Sequence, residues 1–269
     1  MESVKPENRY SAIIEYIFHE RYIDGIERVE FKRTDFETTA ETLGIKLPKN
    51  LGDVIYSFKF RTALPESIVN KAPSDKEWVI KNVGRGEYAF VATKVARILP
   101  DTMLLNVKVP DATPGIVQLF ALSDEQALLT KVRYNRLLDI FTGVTCYSLQ
   151  NHLRTTVPGI GQVETDEIYV GIDKQGKQYV FPVQAKGGSD ELGVVQIEQD
   201  ILLCRSKYPD LICRAIATQF IKDNLIAMFE FVLDGDEVKK VTEKHYELVS
   251  SDNLSKEEIR KYNELPDQI

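Results

Sequence analysis

The sequence predicts a mixed α+β chain, in part α/β, with a small helix-rich portion ahead of a larger portion built on a mixed sheet. Three observations lead there. Runs with apolar residues at helical spacing alternate with β-rich runs along the whole chain. Charge is divided unevenly: residues 1–99 carry 16 basic and 15 acidic side chains, and the remainder carries 18 and 26. Pro100, Pro110 and Pro114 punctuate a connector between the two portions. The expected organisation is therefore 1–99, then 100–139 as connector and helix, then 140–269.

The N-terminal portion reads clearly. Tyr10–Tyr22 places Ile13, Ile14, Ile17 and Phe18 on one helical face, and Asp24-Gly25 ends that helix. Arg28–Phe31 is a short extended stretch. Thr34, with Glu37 three residues on, has the pattern of a capping box opening a helix to Leu43 and Gly44. Lys46–Asn50 is a turn, and Asn50 or Leu51 opens a third helix through Phe60. A loop over Ala63–Asp75 precedes two strand-like runs, Trp78–Val83 and Glu87–Lys94, joined by Gly84-Arg85-Gly86. This order resembles the winged-helix variety of the helix-turn-helix fold. The resemblance implies a DNA-binding domain whose third helix presents Asn50, Ser57, Lys59 and Arg61, with Arg85 at the wing tip. Residues 50–97 hold 8 basic and 5 acidic side chains, which suits phosphate contact.

Residues 95–122 read as connector, Asp124–Thr142 as one helix, and Thr145–Arg154 as another ending before Pro158-Gly159. Beyond them lie two strands, Gly161–Gly171 and Gln178–Lys186, linked by a compact turn at Asp173–Gly176 and followed by Gly187-Gly188. Strand parity puts Glu164 and Asp166 on one face, and Gln184 and Lys186 on one face of the partner. Antiparallel pairing then gathers two carboxylates, an amide and an ammonium at one sheet end. Ile168, Val170, Val180, Phe181 and Val183 make both strands look buried, so such a group needs partners. A divalent cation is one. Carboxylate and amide oxygens are hard donors suited to Mg²⁺, with Mn²⁺ as a substitute.

Glu-Thr-Asp, a turn, and then Val-Gln-Ala-Lys is similar to the core of the PD-(D/E)XK nuclease superfamily, which includes most type II restriction endonucleases. The resemblance implies a restriction-endonuclease-like αβββαβ core with a mixed sheet over roughly residues 140–220. It makes Asp166 the bridging metal ligand, Gln184 the holder of the second acidic position, and Lys186 the catalytic lysine. Glu164 is an additional ligand or an outer residue. Gln184 departs from the family pattern, because an amide brings no charge. The helix Gly193–Arg205, with Val194, Ile197, Ile201 and Leu202 on one face and Gln196, Gln199 and Asp200 on others, fits the same core. Cys213–Thr218 follows as a strand, Leu225–Leu233 and Val238–Leu248 as a hairpin, and Ser255–Glu264 as a terminal helix.

The expected function is a Mg²⁺-dependent endodeoxyribonuclease, foremost a type II restriction endonuclease cutting duplex DNA at a specific sequence. A homodimer is implied by the family and by the two-fold symmetry of such targets. The alternatives are a structure-specific repair or recombination nuclease, or a catalytically silent DNA-binding regulator. Glu125, Asp139 and Gln150 lie on helices ahead of the motif, where some nucleases supply a further carboxylate, but read foremost as surface or capping residues. His152 and Arg154 suit either a phosphate-facing role or a solvated helix end.

Composition bounds the rest. With 43% hydrophobic and 28% charged residues among 269, the chain is of globular type. Its apolar runs are all too short for a membrane span, and Met1–Arg9 has no signal-like apolar core. Cys146, Cys204 and Cys213 read as thiols of a reducing compartment, so a cytoplasmic location is expected. There is no Walker pattern, hence no nucleotide cofactor, and no Gly-x-Ser-x-Gly motif. A net charge of −7 argues against a phosphate partner at first sight. Part of the acidity, however, is Glu164, Asp166 and Glu167 at the expected metal site. Another part is the tail from Asp234, with 10 acidic and 6 basic residues.

Overall fold

A computed structural model describes residues 10–94, 97–120, 125–187, 192–235 and 237–265. The N-terminal stretch Met1–Arg9, the expected helix start at Asp124, and Gly188 lie outside these residues. The chain is mixed α+β and forms two compact units. One takes the chain as far as Ile98, with Thr155–Val163 and Gly193–Val195. The other takes Leu99–Arg154, Glu164–Leu192 and the chain from Gln196 onward.

The first unit contains α1 (Ser11–Arg21), β1 (Arg28–Lys32), α2 (Arg33–Leu43), α3 (Leu51–Phe60), α4 (Glu66–Val69), β2 (Glu77–Gly84) and β3 (Glu87–Thr93). Its three strands pair antiparallel in the order β1-β3-β2. The apolar face of α1 is wholly buried, and Phe18 meets the rings of Trp78 and Phe90 edge-on at 5.2 and 5.1 Å. Helix α2 ends where expected, on Gly44 in the left-handed region (φ 64°). Its entry differs from expectation. The helix begins at Arg33, and the Lys32 N–H donates to the Asp35 carboxylate at 2.6 Å, so a carboxylate one turn in replaces the expected Thr34–Glu37 pair. The expected loop Ala63–Asp75 contains the short helix α4, which forms because Ile68 is fully buried in the core.

The larger part of the chain runs through β4 (Arg97–Ile98), β5 (Asn106–Pro110), α5 (Gly115–Phe120), α6 (Glu125–Tyr134), α7 (Leu137–Thr142), β6 (Thr145–Val157), β7 (Gly161–Ile172) and β8 (Gln178–Lys186). It continues with β9 (Leu192–Gly193), α8 (Val194–Lys207), β10 (Ile212–Cys213), β11 (Ala215–Lys222), β12 (Leu225–Asp234), β13 (Glu237–Val249) and α9 (Lys256–Asn263). Its sheet has the order β5-β13-β12-β11-β8-β7-β6, with β10 beside β8. Strands β7 and β8 are antiparallel, β8 and β11 parallel, so the sheet is mixed. One face of β8 (Phe181, Val183, Ala185) packs with Ile216 and Met228 and with Leu128, Val132, Leu137 and Leu138 of the preceding helices.

Two expectations in this part are corrected. The segment Thr145–Arg154 is a strand, not a helix. It belongs to β6 (Thr145–Val157), which holds β-formers at both ends (Thr145, Tyr147, Thr155, Thr156, Val157) and is the terminal strand beside β7. Most of its side chains are exposed, so it never displays the alternation by which strands are recognised. The single helix Asp124–Thr142 is two helices, broken at Asn135 and at Arg136, whose φ is 49°. Asn135 is 5% exposed, and its amide is the cause. It donates to the Lys131 carbonyl at 3.0 Å and to Thr113 Oγ1 at 2.9 Å, and accepts from the Ala112 N–H at 2.6 Å. A side chain that ties a helix end to a distant loop competes with continuation of the helix. No helix among the described residues is long and apolar enough to cross a membrane.

Asn135→Ala leaves the Ala112 N–H and Thr113 hydroxyl without their partner. It is expected to lower stability by about 2 kcal/mol, read as a lower midpoint of urea unfolding.

Candidate active site

The site is built where β7 and β8 part. Their pairing runs from Ile172↔Gln178 to Glu167↔Val183 and stops there. At the next position Asp166 Oδ2 accepts the Ala185 N–H at 2.8 Å, a side chain taking the place of a ladder acceptor. Gln184 is 2% exposed and donates through Nε2 to the Glu164 carbonyl at 3.1 Å. Lys186 Nζ lies 2.7 Å from Glu125 Oε1, at the first turn of α6. Segments 164–166 and 184–186 thus meet at one sheet end. The Glu164 carboxylate does not join them. It faces His152 Nε2 of β6 at 3.1 Å, and only its backbone carbonyl reaches Gln184.

Two residues at this end went without a site role in the sequence reading. Glu125 read as a surface residue, yet it holds the lysine. Asp200, on α8, is 1% exposed; its Oδ1 accepts the Thr165 hydroxyl, and its Oδ2 makes no hydrogen bond. The Gln184 amide lies beside the same carboxyl. Asp200 follows Ile197 by three and precedes Cys204 by four on the buried stripe of α8. That spacing was the available signal, since an acid on an apolar helical stripe is unusual. Glu167, by contrast, does not belong to the metal site to which its charge was assigned. One residue out of parity with Asp166, it is 1% exposed in the core. There it accepts from the Arg133 guanidinium and from the Tyr169 hydroxyl, the latter at 2.5 Å.

Burial raises the Asp166 carboxyl above the usual range, opposed by the Ala185 N–H and by the Lys186 charge; the Glu125 charge adds to the rise. Burial pushes Asp200 much further, up to about 8, against the Thr165 hydroxyl and the nearby Gln184 amide. Both rises come first from burial, which disfavours the charged form of each acid at this sheet end. Such perturbation is a general mark of functional sites.

The first unit carries the residues expected to face nucleic acid. Asn50 caps α3, accepting from the Gly52 N–H at 3.1 Å and donating to Asp53 Oδ1 at 2.8 Å. The Ser57 hydroxyl bonds that of Thr62 at 2.6 Å. Lys59 Nζ donates to Asn82 Oδ1 at 3.0 Å, and Asn82 Nδ2 in turn donates to the Ile160 carbonyl at 2.7 Å. Arg61 and Arg85 are exposed, with the Arg61 guanidinium 5.2 Å from the Tyr56 ring centroid. Capping and internal bonds therefore occupy three of the five, and the two arginines point outward.

The oxygen donors gathered at the sheet end are Asp166, the Gln184 amide, Asp200 and Glu125, with the Glu164 carboxylate turned aside to His152. No group of three or more His, Cys, Asp or Glu side chains that could hold a metal ion occurs among the described residues. A site for Mg²⁺ does not need one, because that ion binds through one or two carboxylates and keeps several waters. The buried acids and the orphaned Asp200 Oδ2 fit a hard divalent cation. In comparisons with known proteins the chain matches no family model, no curated protein and no solved structure.

Asp200 binds its proton more tightly in the folded chain than in the unfolded one. Its burial therefore costs nothing below pH about 4, and stability is lost as pH rises from there to about 8. Asp200→Asn is expected to remove that decline: its thermal midpoint, measured in chelator, gains on the wild type as pH increases through this window.

Proposed function

We propose that the protein is a Mg²⁺-dependent DNA endonuclease with a PD-(D/E)XK-like site, in the manner of a type II restriction endonuclease. The observation that carries this reading is the Asp166 carboxylate on the Ala185 N–H where β7 and β8 part, with Lys186 one residue further. The element order supports it as well: helix, three long strands, helix and strand over 137–222, with the two-residue β9 and β10 flanking the second helix and β11 parallel to β8. So does the first unit, where α1 to α3 and a three-stranded sheet of order β1-β3-β2 suit a winged helix.

In this reading Asp166, the Gln184 oxygen and, released from His152, Glu164 hold the cation. A bound Mg²⁺ supplies Lewis-acid polarisation of a phosphoryl oxygen and acidifies a water. Lys186 brings a positive charge toward the oxyanion that develops, and Glu125 fixes where that ammonium rests before DNA arrives. Arg61 and Arg85 contact phosphates or base edges of the duplex. Two copies, each with one site, would serve the two strands.

The neutral amide at Gln184 favours a second reading, a DNA-binding regulator whose nuclease fold does not cut. Incubating the protein with mixed plasmid DNA and Mg²⁺ separates the two. Cleavage to 5′-phosphate ends, lost by at least about a hundredfold in Asp166→Ala and Lys186→Ala, supports the nuclease. Tight binding without cleavage across sequences, salts and divalent metals leaves the regulator. Cuts confined to branched or nicked substrates point to a structure-specific nuclease.

Arg61→Ala and Arg85→Ala are each expected to weaken duplex binding and to reduce its salt slope by about one, measured by fluorescence anisotropy across a salt series. Asn50→Ala is expected instead to cost about 1 kcal/mol of stability, read as a lower thermal midpoint.

A further inference from the structure

We infer that His152 exchanges partners at the cation site: it holds the Glu164 carboxylate aside, and takes an oxygen of the substrate phosphodiester once a cation draws Glu164 away. This inference rests on the reading that Asp166, Gln184 and Glu164 hold a cation beside DNA.

The geometry starts at β7. Burial alternates from Val163 to Glu167, so Glu164 and Asp166 share the more open face of that strand. The backbone at Glu164 is fixed, because its carbonyl accepts from Gln184 Nε2 at 3.1 Å. Only the side chain has to turn for the carboxylate to change partners. It rests with Oε1 3.1 Å from His152 Nε2, and the two side chains are 41% and 65% exposed. Exposed pairs of this kind are weak, so a divalent cation at Asp166 outcompetes the imidazole for the carboxylate.

The exchange leaves the imidazole with a donor. A carboxylate offers no proton, and a bare ring nitrogen at 3.1 Å would repel it, so Nε2 carries a hydrogen in this contact. That donor is present whether the ring is neutral or charged. With Glu164 gone to the cation, Nε2 is open to another anionic oxygen. A phosphodiester has two non-bridging oxygens, one for the cation and one for the imidazole.

The backbone points the same way. His152 has φ 51°, one of two non-glycine residues in the left-handed region among the described residues. At the other, Arg136, the helix break at Asn135 accounts for the conformation. His152 lies instead inside the strand Thr145–Val157. Left-handed backbone at such a residue costs stability, and it is retained where the direction of the side chain matters.

The test measures two affinities in the full-length chain, with thermal midpoints recorded to establish that each variant is folded. Mn²⁺ alone, titrated by calorimetry without nucleic acid, is expected to bind His152→Ala up to about fivefold more tightly than the wild type, because nothing then holds Glu164 aside. A mixed-sequence DNA duplex in saturating Mn²⁺, followed by fluorescence anisotropy, is expected to bind His152→Ala roughly three- to tenfold more weakly. Lys186→Ala is added to both chains in that second arm to suppress cleavage. The Mn²⁺ gain is expected to vanish in a Glu164→Gln background, and the duplex loss to vanish in chelator, where Glu164 occupies the imidazole. Opposite signs in the two affinities support the exchange. A merely structural role moves both the same way, and any such pair, or no change in either affinity, overturns the inference while leaving the cation site standing. Failure of the wild type to bind Mn²⁺, or wild-type Mn²⁺ binding by Asp166→Ala, overturns the cation site and the exchange with it. Absence of duplex binding overturns the DNA reading itself.

Discussion

A single substitution of acceptors organises the larger unit: the Ala185 N–H bonds to the Asp166 carboxylate rather than to a backbone carbonyl. Antiparallel strands normally keep their ladder to the end, because each unmet N–H and C=O in a buried place is costly. Here the ladder stops at Glu167↔Val183, and a side chain fills the vacated position. The opening this creates lets Gln184 reach the Glu164 carbonyl and lets Thr165 reach Asp200. Lys186 leaves the strand end toward Glu125. A pair of strands zipped to its full length would bury the same residues with nothing left to react.

The charge of the chain takes on a different meaning beside this geometry. Several acidic residues are neutralised within the fold and project no field. Glu167 is held by Arg133, Glu230 by Arg214, and Glu243 by Lys240 and His245. At the sheet end, burial raises the carboxyls of Asp166 and Asp200. The net charge of the whole chain therefore does not describe the field at any one place.

The fold was legible where burial writes a period into the sequence. Helix α1 shows four fully buried apolar residues at helical spacing, and β7 and β8 show β-rich runs bounded by a glycine turn. Legibility fails where the cause lies elsewhere in the chain. The break at Asn135 depends on bonds to Ala112 and Thr113, which no window around residue 135 contains. Strand β6 is too exposed to alternate. At the site, the spacing of Asp166, Gln184 and Lys186 placed them on adjoining strands. Side-chain destinations were beyond it: Glu164 turns to His152, Glu167 to the core, and Asp200, expected off the apolar face of its helix, lies buried on it.

His152 has a second consequence. It sits within β6, the terminal strand of the sheet, thirteen residues long, and its φ is 51°. A straight outer strand of that length offers a continuous row of amide and carbonyl groups onto which strands of other molecules can add. A left-handed residue part-way along interrupts the row and bends it. The histidine that draws Glu164 aside thereby also makes the sheet's open border a poor template for growth from one molecule to the next.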